Sequence, residues 1–125
     1  MKVIDPLVTA ERVEPAAAEI EIVVPQDLEY LRGHFPGAPI VPGVVQVRWA
    51  LLLARRYLHV EGACVGIEAL KFQSAMPPGA RALVALEVVE PARKLHFAFR
   101  WAQGRYSSGR LLLRGRTGSA AADAP

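Results

Sequence analysis

His34 is held in a stiff stretch, His34-Phe35-Pro36-Gly37-Ala38-Pro39-Ile40-Val41-Pro42-Gly43, which runs straight into Val44-Val45-Gln46-Val47-Arg48-Trp49-Ala50. Each proline locks φ, and each glycine opens backbone geometries that other residues resist, so this loop is shaped rather than floppy. An imidazole with an ordinary pKa near ~6.5 takes up and returns a proton at neutral pH. A rigid loop that presents such a group at the start of a helix suits proton-transfer chemistry. A lone histidine is more often a packed, hydrogen-bonded core residue, but the setting of His34 argues against that reading. His59 at a helix end and His96 in an alternating strand have no comparable setting and are assigned no chemistry.

The elements that must position this loop are readable from periodicity. Residues 19–23 alternate polar and apolar and read as a strand. From Gly43 to about Leu58 there is no internal proline or glycine, and Val44, Val47, Leu51, Ala54 and Leu58 recur at helical spacing. Val45, Trp49 and Leu52 widen that stripe, so the first turns are apolar nearly all round and a buried helix is expected. Arg55 and Arg56 in its last turn complement the helix dipole. Strands are expected over 65–73, 81–89, 95–101 and 107–115, with Pro77-Pro78-Gly79, Pro91 and Gly104 marking the breaks. One long helix followed by a meander of antiparallel strands predicts an α+β fold, a sheet wrapped around the helix. The whole chain, 1–125, reads as one domain with a frayed tail of small residues over 117–125.

Length and composition bound the function. A domain of 125 residues buries about two-thirds of its unfolded surface, and an apolar content of 52% suits a compact globule. The single cysteine, Cys64, excludes an internal disulfide and points to a reducing compartment. The longest apolar run, Trp49 to Ala54, is far short of the ~20 residues that span a membrane. No secretory signal is visible at Met1-Lys2-Val3, and a cytoplasmic location is expected. Charge is unevenly placed: acids dominate up to Glu29, whereas Arg93, Lys94, Arg100, Arg105, Arg110, Arg114 and Arg116 face only Asp123 beyond Pro91. Such a basic half is either a set of solvated strand faces or a docking surface for an acidic partner. Nucleic acid is not the expected partner, because no zinc-ligand spacing or aromatic-interleaved basic helix accompanies the charge.

The His34-Phe35-Pro36-Gly37 and Pro42-Gly43 segments, leading into an apolar helix, resemble the signature of the β-hydroxyacyl-acyl-carrier-protein dehydratases of the hotdog fold. A second marker, Val65-Gly66-Ile67-Glu68-Ala69-Leu70-Lys71-Phe72 with Pro78-Gly79, stands at similar spacing downstream. The resemblance covers about residues 20–113. Val41-Pro42-Gly43-Val44-Val45-Gln46-Val47 and Tyr106-Ser107-Ser108-Gly109-Arg110 look most like the small dehydratases of aryl-polyene and related lipid pathways. The resemblance implies a hotdog fold and a lyase that converts a 3-hydroxyacyl thioester to the trans-2-enoyl thioester in fatty-acid or polyene-type synthesis. It implies His34 as the catalytic base and the Gly43 backbone N–H as the donor to the thioester oxygen. The first amides of a helix lack internal partners and carry partial positive charge, which suits a developing enolate oxygen. No metal and no cofactor are expected. The expected partners are an acyl carrier protein, or a coenzyme A thioester as substrate, and a second subunit in a homodimer, a higher oligomer or a heterodimer with a homologue.

Arg48 departs from the pattern, because the resembling enzymes carry an acid there, facing the histidine across the subunit interface. Arginine does not release its proton at any ordinary pH. Three readings stand open: His34 performs both proton transfers while Arg48 orients the hydroxyl or a substrate carboxylate; another acid, such as Glu68 or one from a partner chain, substitutes; or the chain is a weakly active or inactive subunit paired with an active homologue. Were Arg48 buried, an anionic neighbour would be required. An acyl thioesterase is a further alternative, disfavoured by the lack of an acid in the His34 loop or the helix after it.

Overall fold

The computed structural model describes residues 4–27 and 40–114. His34, Arg116 and the 117–125 segment lie outside the described residues. The elements are β1 (Leu7–Val13), β2 (Ala17–Val23), α1 (Gly43–Tyr57), β3 (Cys64–Phe72), β4 (Arg81–Val89), β5 (Lys94–Trp101) and β6 (Gly104–Leu113). The strands form one six-stranded antiparallel sheet in the order β1-β2-β4-β5-β6-β3, with β1 and β3 at its edges. The expected α+β architecture, one helix laid against an antiparallel sheet, is what the chain forms. No helix among the described residues is long and apolar enough to cross a membrane.

Period-two patterning places one side chain in two on the helix side. The register aligns Ile20 with Val84, Val84 with Phe99, Phe99 with Ser107 and Ser107 with Phe72, so one row crosses five strands. Ile20, Val84 and Phe99 join Ile22, Leu95, Leu111 and Met76 in the core under α1. Sequence periodicity does not reveal β1. Its residues are almost all exposed and a bulge falls between Val8 and Ala10, so the edge strand carries no clean alternation.

The helix corrects one expectation. Its buried residues are Val45, Gln46, Trp49, Ala50, Leu53 and Ala54; of the expected stripe, Val47, Leu51 and Leu58 are only half-buried against this core and Val44 is left outside it. Val44 is 75% exposed, and at 100° per residue it shares with Arg48 and Arg55 the face turned away from the sheet. The apolar surplus of α1 therefore exceeds what one sheet face can cover. Trp49 is fully buried and donates its indole N–H to the Ile4 carbonyl at 3.0 Å, which anchors the start of the described chain onto the helix.

The other uncovered apolar surface is β3. Ile67 lies opposite Leu111 and Phe72 opposite Ser107, both helix-side positions, and Leu70 Cδ1 lies 3.2 Å from where a Cβ on Gly109 would stand. These three side chains hang on the helix side of the sheet, yet Ile67 is 46% and Phe72 52% exposed. The irregularity that keeps them in phase falls between Glu68 and Lys71, where Ala69 takes a positive φ of 54°.

Candidate active site

The helix starts at Gly43 against the end of β3. A Cβ built on Gly43 would stand 2.4 Å from Phe72 Cζ, so the aromatic ring occupies the space that any other residue would fill. Pro42 is the N-cap and offers no side-chain hydrogen bond, and no acid stands in the first turn. The Pro42 carbonyl accepts from the Val45 and Gln46 amides at 3.0 and 3.2 Å. The amides of Gly43 and Val44 are left without an acceptor among the described residues, as the first groups of an uncapped helix must be. Beside them opens a cavity of about 260 Å³ lined by Ile40, Val41, Gly43, Gln46, Phe72, Gln73, Ser74 and Ala75. His34 stands upstream on the segment that re-enters the described chain at Ile40, itself on the cavity wall.

Of the polar side chains in this wall, Gln73 and Ser74 are exposed and Gln46 is buried, and sequence reading left Gln46 without a role. It is 3% exposed, its Oε1 accepts from Ser107 Oγ at 2.6 Å, and its Nε2 donates to the Val41 carbonyl at 3.2 Å. Gln46 and Ser107 are the two buried polar side chains among the described residues. A signal was present: Gln46 interrupts the stripe Val45, Trp49, Ala50, Leu53 with an amide, and Ser107 interrupts the inward set of β6.

Arg48 is not part of this cavity. It is exposed on the outer face of α1 and forms no ion pair among the described residues, so the burial cost that would demand an anionic neighbour does not arise within one chain. Glu68, the other acid considered from the sequence, is not brought to this cavity either. It projects from the opposite side of the sheet, where its Oε1 accepts from Lys94 Nζ at 2.6 Å and faces Arg110 Nε at 3.1 Å. The Lys94 hydrogen bond and the positive charges of Lys94 and Arg110 hold its carboxyl below the ordinary range, against a smaller opposing desolvation. Glu68 is thus ionised at neutral pH and faces away from the helix. A matching cluster joins Glu19 to Arg12 and Arg100 at 2.6 and 3.2 Å. Both clusters are solvated and contribute little to stability.

A six-stranded antiparallel sheet with one helix across it, strand order 1-2-4-5-6-3, defines a hotdog-fold protein with a cavity at the helix N-terminus. The chain belongs to the ApeI-like family, whose description is ApeI dehydratase and whose family model matches residues 10–110. It is 42% identical over 69 residues to the 3-hydroxyacyl-[acyl-carrier-protein] dehydratase FabZ of Erythrobacter litoralis, a match covering 48% of this chain and 44% of that protein. The matched part thus spans less than half of that relative's length. Among solved structures, the dehydratase heterocomplex ApeI:P from Xenorhabdus doucetiae is similar with a TM-score of 0.83 and 28% identity, over 89% of this chain and 99% of that one. An uncharacterized protein from Erwinia carotovora is similar with a TM-score of 0.75 and 25% identity, over 87% and 95% of the two chains.

The close approach of Phe72 to Gly43 is open to a direct check. Gly43→Ala should lose about 1–3 kcal/mol, because the added methyl meets the ring. Adding Phe72→Ala should recover most of that loss, a non-additivity read from urea midpoints of the single and double variants. Strictly additive losses would show that the ring does not cover Gly43.

Proposed function

We propose that the chain is a 3-hydroxyacyl thioester dehydratase, with His34 as base and the Gly43 amide as the donor to the enolate oxygen. The observation that carries the proposal is the uncapped helix start at Gly43, opening on a cavity whose wall leads into the His34 segment. In this reading His34 takes the proton from the carbon next to the thioester carbonyl, and negative charge develops on an oxygen held by the Gly43 N–H. The β-hydroxyl leaves with the proton that His34 returns, so the products are the trans-2-enoyl thioester and water. The elimination moves a proton within one substrate and calls for no oxidant or reductant. A thioesterase would want a carboxylate at the scissile bond, and the cavity lining contains none among the described residues.

The outer face of α1 and the inner face of β3 support a paired state. A second hotdog chain, this one or a homologue, covers Val44, Ile67, Leu70 and Phe72 and pairs with the free edge of β3. Arg48 then faces that partner, and the readings left for it are orientation of substrate by the guanidinium, an acid supplied by the partner, or a subunit that depends on an active homologue. The similarity to one chain of a dehydratase heterocomplex favours keeping the last reading in view.

The acyl carrier, in this reading, approaches over the Gly43 end of the sheet. Arg81 at the start of β4, Arg105 at the start of β6 and Lys71 near the end of β3 lie at that end, exposed and free of ion pairs among the described residues. Arg110 is held by Glu68, and Arg114 lies at the opposite end, its amide bonded to the Ala63 carbonyl.

Turnover of a 3-hydroxyacyl carrier-protein substrate, measured as enoyl product, tests the chemistry. His34→Ala should abolish it, and full activity in that variant would overturn the assignment. Arg48→Glu tests the part Arg48 plays: a loss of about 10² or more marks an orienting guanidinium, unchanged or raised turnover marks chemistry without it, by His34 alone or with an acid of the partner, and a gain from an inactive parent marks a dependent subunit. Sedimentation at micromolar concentration should show at least a dimer that Ile67→Lys weakens, and a stable monomer would exclude the β3 pairing. Arg81→Glu and Arg105→Glu should weaken carrier binding and flatten its salt dependence more than Arg114→Glu does. The reverse ranking would move the docking face to the other end of the sheet.

A further inference from the structure

We infer that Gln46 is a positioning residue that sets the direction of the Gly43 amide by clamping Val41 to the sheet through Ser107. The inference rests on the proposed role of Gly43 and concerns residues that neither the motif nor the family match assigns.

Val41 is tied at both backbone groups. Its N–H donates to the Met76 carbonyl at 2.8 Å, and its carbonyl accepts from Gln46 Nε2 at 3.2 Å. Its side chain is 1% exposed. Next in the chain is Pro42, whose ring restricts φ, so little freedom remains before the peptide plane that carries the Gly43 N–H. The orientation of the Gln46 amide is itself determined. The Val41 carbonyl only accepts, so Nε2 must face it, and Oε1 is then turned to Ser107, whose hydroxyl donates at 2.6 Å. A flipped amide would set two carbonyl oxygens against each other. One side chain thereby links three elements: the loop leading into the helix, the helix itself one turn in, and β6.

The link is effective because it is dry. Both members are buried, 3% and 0% exposed, so water does not substitute for a lost bond without reorganisation. Ser107 belongs to the cross-strand row that ends at Phe72, the ring standing over Gly43. The clamp and the ring therefore hold the same helix start from two sides, and both line or adjoin the cavity.

The test uses Gln46→Met, which keeps length and removes both bonds, and Ser107→Ala, a smaller change that removes one. Amide hydrogen exchange on the full chain should show the Val41 N–H losing protection about tenfold in each variant, while the Val84 and Phe99 amides keep theirs, as expected of a local opening. In turnover, kcat should fall by about 10- to 100-fold with KM within a few-fold, the signature of misplacement rather than lost binding. Unchanged Val41 protection in both variants would overturn the inference. Protection lost uniformly across the sheet would also overturn it, since that marks a merely structural pair. If the parent chain shows no turnover either alone or paired with a homologue, the dehydratase reading fails, and the exchange measurement still decides the clamp.

Discussion

A single helix about 10–12 Å wide cannot cover a six-stranded sheet that measures about 24 Å across at the usual strand spacing of ~4.8 Å. Both the open surfaces of this molecule and its candidate site depend on that mismatch. The buried face of α1, centred on Trp49 and Leu53, shares one core with β2, β4, β5 and β6. The inner face of β3 is left with Ile67, Leu70 and Phe72 uncovered. The helix itself carries Val44 and Arg48 outward. Apolar surface left open in this way costs free energy in water, and the least disruptive remedy is another surface of the same kind.

The same mismatch opens the candidate site. Where the helix begins, it neither overlaps β3 fully nor leaves it, and the gap between them is the cavity beside Gly43. Only a residue without Cβ permits the helix start and the Phe72 ring to come this close. Gln46 joins Gln73 and Ser74 in the cavity lining because the helix turn that brings Gly43 to β3 also brings residue 46 over β6. Electrostatics on the outer sheet face are separate from this. Glu19 and Glu68 each hold two cations there, whereas Arg81, Arg105 and Lys71 at the Gly43 end form no ion pair among the described residues.

Much of the architecture was legible in the residues. The alternation Leu95, Phe97, Phe99 reads directly as a half-buried strand, and a proline-free run from Gly43 reads as a helix. The edge strand β1 was not legible, since a strand exposed on both faces has no reason to alternate. The helix face was misread for a related reason. Val47 and Leu51 are half-buried against the core while Val44 is exposed, and periodicity alone cannot tell a fully buried apolar position from one at the margin of the covered face. At the site, the backbone role proposed for Gly43 came from the loop signature, whereas Gln46, although inside the Val41–Val47 segment of the resemblance, brought no role with it. An amide inside an apolar stripe shows its purpose only when its two hydrogen-bond partners, 5 and 61 residues away in sequence, are seen together.

Arg48 acquires a different meaning in the folded chain. Read along the helix, it stands where the resembling enzymes place an acid, and it looks like a broken active site. In three dimensions it projects from the outer face, with Val44 one turn before it and Arg55 about two turns after. Its charge is solvated within one chain and becomes a cost or a contact only when a partner covers the helix. A covered guanidinium needs an anion, and the candidates are a carboxylate of the partner or the substrate itself. In the proposed pairing the effect of Arg48 is decided at an interface, while the geometry around Gly43 is held within the chain by Val41, Gln46, Ser107 and Phe72. The two halves of the proposed chemistry thus depend on different things: the oxyanion side on intrachain packing, and the hydroxyl side on the identity of the second subunit.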